Sequence, residues 1–351
     1  MNLLLTFDYE LFGDGSGNVF EHMIEPTERL LNICDRHNIK TTLFFEVVEY
    51  LKLKQEWDNN NSMGYKKNPI EAIERQLQKA ACNGHDIQLH VHPQWIGAQY
   101  INHKWEVDNS NWRLSVFQGK NGYTIESLLQ KGKMIIENLI CQVVPDYKCI
   151  ALRAGYYNIM PSTDVYAAMK KTGLKIDSSV YPGGYETSNV ANFDYRQIQH
   201  NVDYWWTNPE DITRKSILHR EILEIPVFAL NIPRWRKMIN LQRLKSIMIK
   251  KTTVSALSKS KITSMSLMEK FKFLFEKEAS TWDFFLFDSG LHKRYLKYID
   301  KKLSGERENF VLLAHPKSAF NEDAFLNLIE ASKKRKADFK TITQLYKELN
   351  S

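Results

Sequence analysis

The sequence predicts an α/β protein built on parallel strands, arranged as an open sheet or a barrel. Short, near-continuous Val/Ile/Leu/Phe runs of strand length recur along it, and helical patterns stand between them. Strands buried on both faces read as unbroken apolar runs, and strand–helix alternation of this kind is the pattern of βα units. With 351 residues, 43% of them hydrophobic and 25% charged, the chain has the size and composition of a soluble globular enzyme with one large or two ordinary domains.

The first strand is predicted over Asn2–Phe7, an apolar run that meets Asp8 and Glu10 at once. A helix follows from Glu25, with Pro26 near its first turn and apolar residues at helical spacing through Cys34. Strands are then predicted over Lys40–Phe45, Asp86–Val91, Lys148–Leu152, Leu174–Ser178, Glu221–Pro226 and Phe310–Ala314, with helices over Ile70–Ala81 and Thr124–Leu139. Asp338–Leu349 gives a last short strand and helix. Two stretches break the rhythm. Tyr100–Gly122 is polar and aromatic, and Tyr181–Trp282 holds only one convincing strand amid aromatic and basic residues. Both read as insertions that cap or line a site. With no internal repeat or low-complexity linker, the expectation is a single domain over 1–351, inserted at about 100–122 and 181–282.

No run approaches the ~20 apolar residues of a membrane span. The start, Met1 to Phe7, lacks the basic residue and cleavage site of a signal peptide, so the cytoplasm is expected. Cys34, Cys82, Cys141 and Cys149 lack metal or redox spacing and are expected to be reduced and mostly buried. The net charge of +7 is unevenly placed. Ile225–Met268 carries Arg234, Arg236, Lys237, Arg243, Lys245, Lys250, Lys251, Lys259 and Lys261 and no acid. That asymmetry suits an anionic membrane face or a phosphate-bearing substrate, or else a solvated loop; nucleic acid is not expected.

Two constellations carry chemistry. Asp8 and Glu10 stand at i and i+2 where the first strand ends, so they share one face and one pocket. Two carboxylates together need a cation between them or a shared proton; the plainer alternative is a pair of solvated acids. In Gly84-His85-Asp86-Ile87-Gln88-Leu89-His90-Val91-His92-Pro93, His90 and His92 again share a face at a strand end. Two imidazoles near a carboxylate are the three protein ligands of an open, zinc-type site. His85 lies on the other side of the run and reads as structural.

At this point the chain resembles the polysaccharide deacetylase family, the carbohydrate esterases that include chitooligosaccharide and peptidoglycan deacetylases. Thr6-Phe7-Asp8 is similar to that family's first motif, and Thr27–Phe45, ending in Ile39-Lys40-Thr41-Thr42-Leu43-Phe44-Phe45, to the helix and strand after it. Gly84–Pro93 resembles the metal-histidine motif, Leu152-Arg153-Ala154-Gly155-Tyr156 the arginine–aromatic motif, and Ile176-Asp177-Ser178-Ser179-Val180 the segment that follows. Leu312-Leu313-Ala314-His315-Pro316 is similar to the last motif, which carries a catalytic histidine. The resemblance covers nearly the full length and implies an irregular (β/α)7–8 barrel of the polysaccharide deacetylase type with insertions. Two positions depart from the pattern. The slot beside Asp8 is Tyr9 where the family commonly has a second aspartate, so the ligand role passes to Glu10. The slot four after His90 is Gln94, so His92 substitutes for the second histidine.

What the resemblance implies is removal of an N-acyl group, acetyl or formyl, from an amino sugar. Glu10, His90 and His92 would hold a divalent metal, zinc with cobalt or nickel as alternatives. Asp8 would take the proton of the attacking water, oriented by Arg153. His315 would protonate the departing amine, and a backbone N–H near Tyr156 would help hold the oxyanion. Tyr204-Trp205-Trp206, Trp95 and Trp235 are candidates for stacking on sugar rings. The substrate expected in the cytoplasm is a nucleotide- or lipid-linked sugar of surface-glycan assembly, met at the inner membrane face through the basic 225–268 stretch. Two alternatives stay open: an amidohydrolase-type barrel acting on another C–N bond, and an inactive carbohydrate-binding relative.

Overall fold

The computed structural model describes residues 1–238, 268 and 273–350. Seven strands form its centre: β1 (Asn2–Tyr9), β2 (Thr42–Glu46), β3 (Asp86–Val91), β4 (Ala151–Ala154), β5 (Ile176–Asp177), β6 (Leu223–Glu224) and β7 (Asn309–Ala314). They pair in parallel in the order β6-β5-β4-β3-β2-β1-β7. The chain just past β6 curls the sheet shut. Val227 forms a parallel bridge to Val311 of β7, and the Phe228 N–H donates to the Val311 carbonyl at 2.9 Å. A further bridge, Asp283 to Leu313, lies higher on the same edge. The result is an irregular (β/α) barrel, as expected.

Side-chain alternation separates its two cores. On β1, Leu3, Leu5, Phe7 and Tyr9 pack outward under the helices. Leu4 points inward with Phe44, Ala151, Ile176, Leu223, Val311 and Leu313. The same period sends Thr6, Asp8 and Glu10 inward behind Leu4, and His90, His92 and Arg153 likewise from β3 and β4. On β1 the inner face thus runs from apolar Leu4 to polar Thr6, Asp8 and Glu10, and β3 and β4 also turn His90, His92 and Arg153 in at their C-terminal ends, where βα barrels place their sites.

Helices α1 (Glu25–Arg36), α2 (Val47–Asp58), α3 (Pro69–Cys82), α4 (Ile125–Ile140), α5 (Thr163–Thr172), α6 (Ser289–Tyr298), α7 (Glu322–Lys333) and α8 (Ile342–Leu349) accompany the sheet. The last of them stops the opposite end of the barrel. Its Ile342 and Leu345 enter the inner core, and the Ile342 N–H donates to Thr42 Oγ1 at 3.0 Å. None of the described helices is long and apolar enough to cross a membrane.

The irregular stretches hold more structure than their sequence indicates. Gln99–Ile101 and Lys104–Glu106 form a hairpin. Where one strand was expected in Tyr181–Trp282, the described residues hold six: β6, the Trp205–Trp206 strand antiparallel to it, and two hairpins, Tyr185–Thr187 with Asn192–Asp194 and Ala229–Pro233 with Lys277–Thr281. At two to five residues, such strands are too short to carry a periodic signal. Cys34 and Cys149 are buried but Cys82 and Cys141 are exposed, and all four are free. Of the basic stretch, Arg243, Lys245, Lys250, Lys251, Lys259 and Lys261 lie outside the described residues, as does the Lys237 side chain. Arg234 is paired with Glu276 and Glu278.

Candidate metal centre

Arg153 organises the site from below. It is fully buried, with its guanidinium carbon 4.0 Å from the centre of the Phe44 ring. Its Nη1 donates to Asp8 Oδ1 at 2.8 Å, Nη2 to Thr6 Oγ1 at 2.9 Å, and Nε to the Ser178 carbonyl at 2.9 Å. Thr6 in turn donates to the Leu312 carbonyl at 2.8 Å, so the guanidinium ties β4 to β1, β7 and the end of β5. Burial alone would raise Asp8, but Arg153, His90 and His315 outweigh it and hold the carboxyl well below the usual range. His315 Nε2 lies 3.4 Å from Asp8 Oδ2, and the His315 side chain, 28% exposed, stands at the mouth.

Glu10, His90 and His92 aim at one point. Glu10 Oε2 is 3.0 Å from His92 Nε2 and 3.4 Å from His90 Nε2, and the two ring nitrogens are 3.0 Å apart. His90 Nδ1 lies 2.7 Å from the Arg153 carbonyl, which only accepts, so Nδ1 carries the hydrogen and the neutral ring turns a bare Nε2 to the centre. His92 Nδ1 is 2.9 Å from the Gln94 amide, whose Oε1 is buried without a partner. Turning that amide over gives up its 3.4 Å bond to the Gly13 carbonyl, lets Oε1 accept from Nδ1–H and leaves His92 Nε2 bare as well. Gly155 makes room for this ring: a Cβ there would lie 2.7 Å from His92 Cγ and Cδ2. Tyr156, left-handed at φ 52, lays its ring 5.2 Å from both the His92 and the Trp112 rings.

The structure is similar to solved polysaccharide deacetylases. A Mycobacterium smegmatis protein classed as one shares 12% identity, with 99% of this chain and 90% of that one covered and a TM-score of 0.49. A polysaccharide deacetylase of Bacillus cereus shares 12% identity over 97% of this chain and 91% of that one, with a TM-score of 0.38. PuuE allantoinase shares 9% over 98% and 88%, with a TM-score of 0.46. No protein-family model matches the chain, and no curated protein does.

The site's own donors fit a divalent cation. One carboxylate and two imidazoles are the protein ligands of a catalytic zinc centre. Two bare ring nitrogens 3.0 Å apart repel unless a proton or a cation lies between them. Without a cation, burial pulls His90 down, but Asp8, Glu10 and Glu46 outweigh it and leave the ring at about 9. Burial, His90 and Lys317 together lower His92 despite Glu10.

Every residue singled out for the site converges here: Asp8, Glu10, His90, His92, Arg153, Tyr156 and His315. His85 stands apart and serves the fold, with Nδ1 accepting from the Thr41 N–H at 3.1 Å. The proposed sugar-stacking aromatics mostly do not converge. Trp95 is 1% exposed and Trp205 is 4% exposed, both packed in the core, and Trp206 lies against Tyr346 of α8 at the far end of the barrel. Trp235 packs beside Phe275. Two site residues were not legible. Lys317 donates to Glu10 Oε1 at 2.6 Å and to the Leu11 carbonyl at 2.7 Å; its only signal was its place two after His315. Glu46, 1% exposed, lies one residue beyond the expected end of the second strand.

Proposed function

We propose that the chain is a metal-dependent hydrolase that removes an N-acyl group, acetyl in the first instance, from an amino sugar. One observation carries this reading: Asp8 is kept ionised between Arg153 and His315, beside donors suited to a divalent cation. Zinc suits Glu10, His90 and His92, with cobalt or nickel as substitutes. Such a cation would supply Lewis-acid polarisation of the acyl carbonyl and acidification of water. That second effect matters because Asp8 is a weak base: an anion held so far below the usual range accepts a proton only from an acidified donor. Arg153 holds Oδ1, so the proton goes to Oδ2, which lies 3.4 Å from His315 Nε2. His315, on the other side of Asp8 and partly exposed, is placed to protonate the departing amine, which is otherwise a poor leaving group. The Tyr156 backbone N–H, at the rim, is the donor proposed for the developing oxyanion.

The finer reading places the enzyme in the cytoplasm, peripheral to the inner membrane face, acting on a nucleotide- or lipid-linked sugar of glycan assembly. Ile217 and Leu218, 91% and 85% exposed, lie in sequence between Arg214-Lys215 and Arg220, an exposed apolar pair flanked by basic residues that suits an anionic lipid surface. Serine at both positions is expected to reduce binding to anionic vesicles in a flotation assay; unchanged binding removes this part. The activity is tested by amine release from a panel of N-acetylated sugar nucleotides and lipid-linked glycans with zinc, cobalt or nickel added. Asp8→Asn and His315→Ala are expected to cut the rate by about two orders of magnitude or more. Retained activity in the Asp8 variant rules out Asp8 as the base, and in the His315 variant rules out His315 as the acid.

A further inference from the structure

We infer that Glu46 is a fourth protein ligand of the divalent cation, binding through Oε2; this rests on the metal-dependent reading above. Register puts it there. Glu46 pairs directly with His90 across β2 and β3, so the two side chains leave the sheet on the same face. The donor atoms of Glu10, Glu46, His90 and His92 all lie within 4.8 Å of one another.

The two oxygens of Glu46 have different fates. Oε1 caps α2, accepting from the Val48 N–H at 2.9 Å and the Glu49 N–H at 3.3 Å. That bond fixes the plane of the carboxylate. Oε2 is buried and has no hydrogen-bond partner. A buried carboxylate oxygen with nothing to bind is costly. A cation satisfies it without any rearrangement of α2.

Charge points the same way. Asp8, Glu10, Glu46 and Glu49 are four buried carboxylates, 3%, 5%, 1% and 1% exposed. The fixed cations set among them are Arg153 and Lys317. Carboxylates thus outnumber these fixed cations, and a divalent ion supplies positive charge among them while both histidines stay neutral.

The test uses the full chain, stripped of metal and titrated with Co²⁺, reading the visible absorption band and competition with a chelator. Glu46→Gln keeps an oxygen for the α2 cap, and Glu46→Ser keeps a capping hydroxyl too short to reach the ion. Both are expected to weaken Co²⁺ binding at least tenfold and to change the absorption band. Wild-type affinity and band in both variants overturn the inference and leave Glu46 a helix cap. If His92→Ala abolishes binding in that same series, the metal-dependent reading survives the loss of Glu46. If the wild-type chain takes up no Co²⁺, both fall together.

Discussion

Gly155 sets the position of His92 by having no side chain. A methyl group at Gly155 would overlap the imidazole, at 2.7 Å from two of its carbons, with backbone of β4 behind it and no route of retreat except a shift of the ring. Gly155→Ala is therefore expected to lower metal affinity at least tenfold with little loss of fold stability, measured by Co²⁺ titration beside a denaturant curve. An unchanged titration would show that the ring has slack. Arg153 predicts the opposite balance. Arg153→Met leaves Asp8 buried beside uncompensated polar groups, Thr6 Oγ1 and the Ser178 carbonyl. Breaking a buried pair of this kind costs about 3–5 kcal/mol. That loss should appear in urea unfolding of the metal-free chain, where no catalytic role can enter. A variant within about 1 kcal/mol of wild type would mean the pair is better solvated than its burial indicates.

At the scale of the element, period-two alternation made most of the site readable. Asp8 and Glu10, then His90 and His92, sit at i and i+2, and the inward face they share is the face the barrel buries. Glu46 escaped because β2 runs one residue past its apolar run and passes straight into α2, with no intervening loop to mark a site. The fourth strand begins later than its apolar run for a related reason. Gln88 Oε1 takes the Ile150 and Ala151 N–H groups, so the ladder begins only at Ala151 and carries Arg153 within it. His85 shows how a buried histidine can serve an element alone. Its Nδ1 must be unprotonated to accept from Thr41 at the entry to β2, while Nε2 faces Asp35 at 3.1 Å. Burial and Lys40 lower the ring to about 4, against the pull of Asp35. A folded value depressed below the ordinary 6.5 means that its stabilising contribution is complete above about pH 6.5 and is lost as pH falls through about 4. The metal-free chain should accordingly lose on the order of 2–3 kcal/mol over that window beyond what His85→Gln loses. Equal losses in the two proteins would assign acid sensitivity elsewhere.

Across the whole molecule, the site is also a clasp. Lys317 reaches Glu10 across 307 positions of sequence, and Arg153 reaches Asp8 across 145. A cation held by residues at the ends of β1 and β3 would add a further tie beside these bonds, on a barrel closed where Val227 meets Val311. No local pattern announces that seam or the Lys317 contact, because both depend on how the barrel closes and not on neighbours in sequence. Metal binding and global stability should therefore be linked. An ion present at about a hundredfold its dissociation constant stabilises the folded chain by about 2.7 kcal/mol when it ignores the unfolded one. For a chain of this length that corresponds to a rise of a few degrees in melting midpoint. The expected result is a midpoint that falls on chelation and recovers with zinc in the wild-type chain, while a His90→Ala chain melts at one temperature in chelator and in zinc. Equal zinc-dependent shifts in both proteins would place the stabilising ion at a different site, and the donor set on β1 and β3 would then have no claim to it.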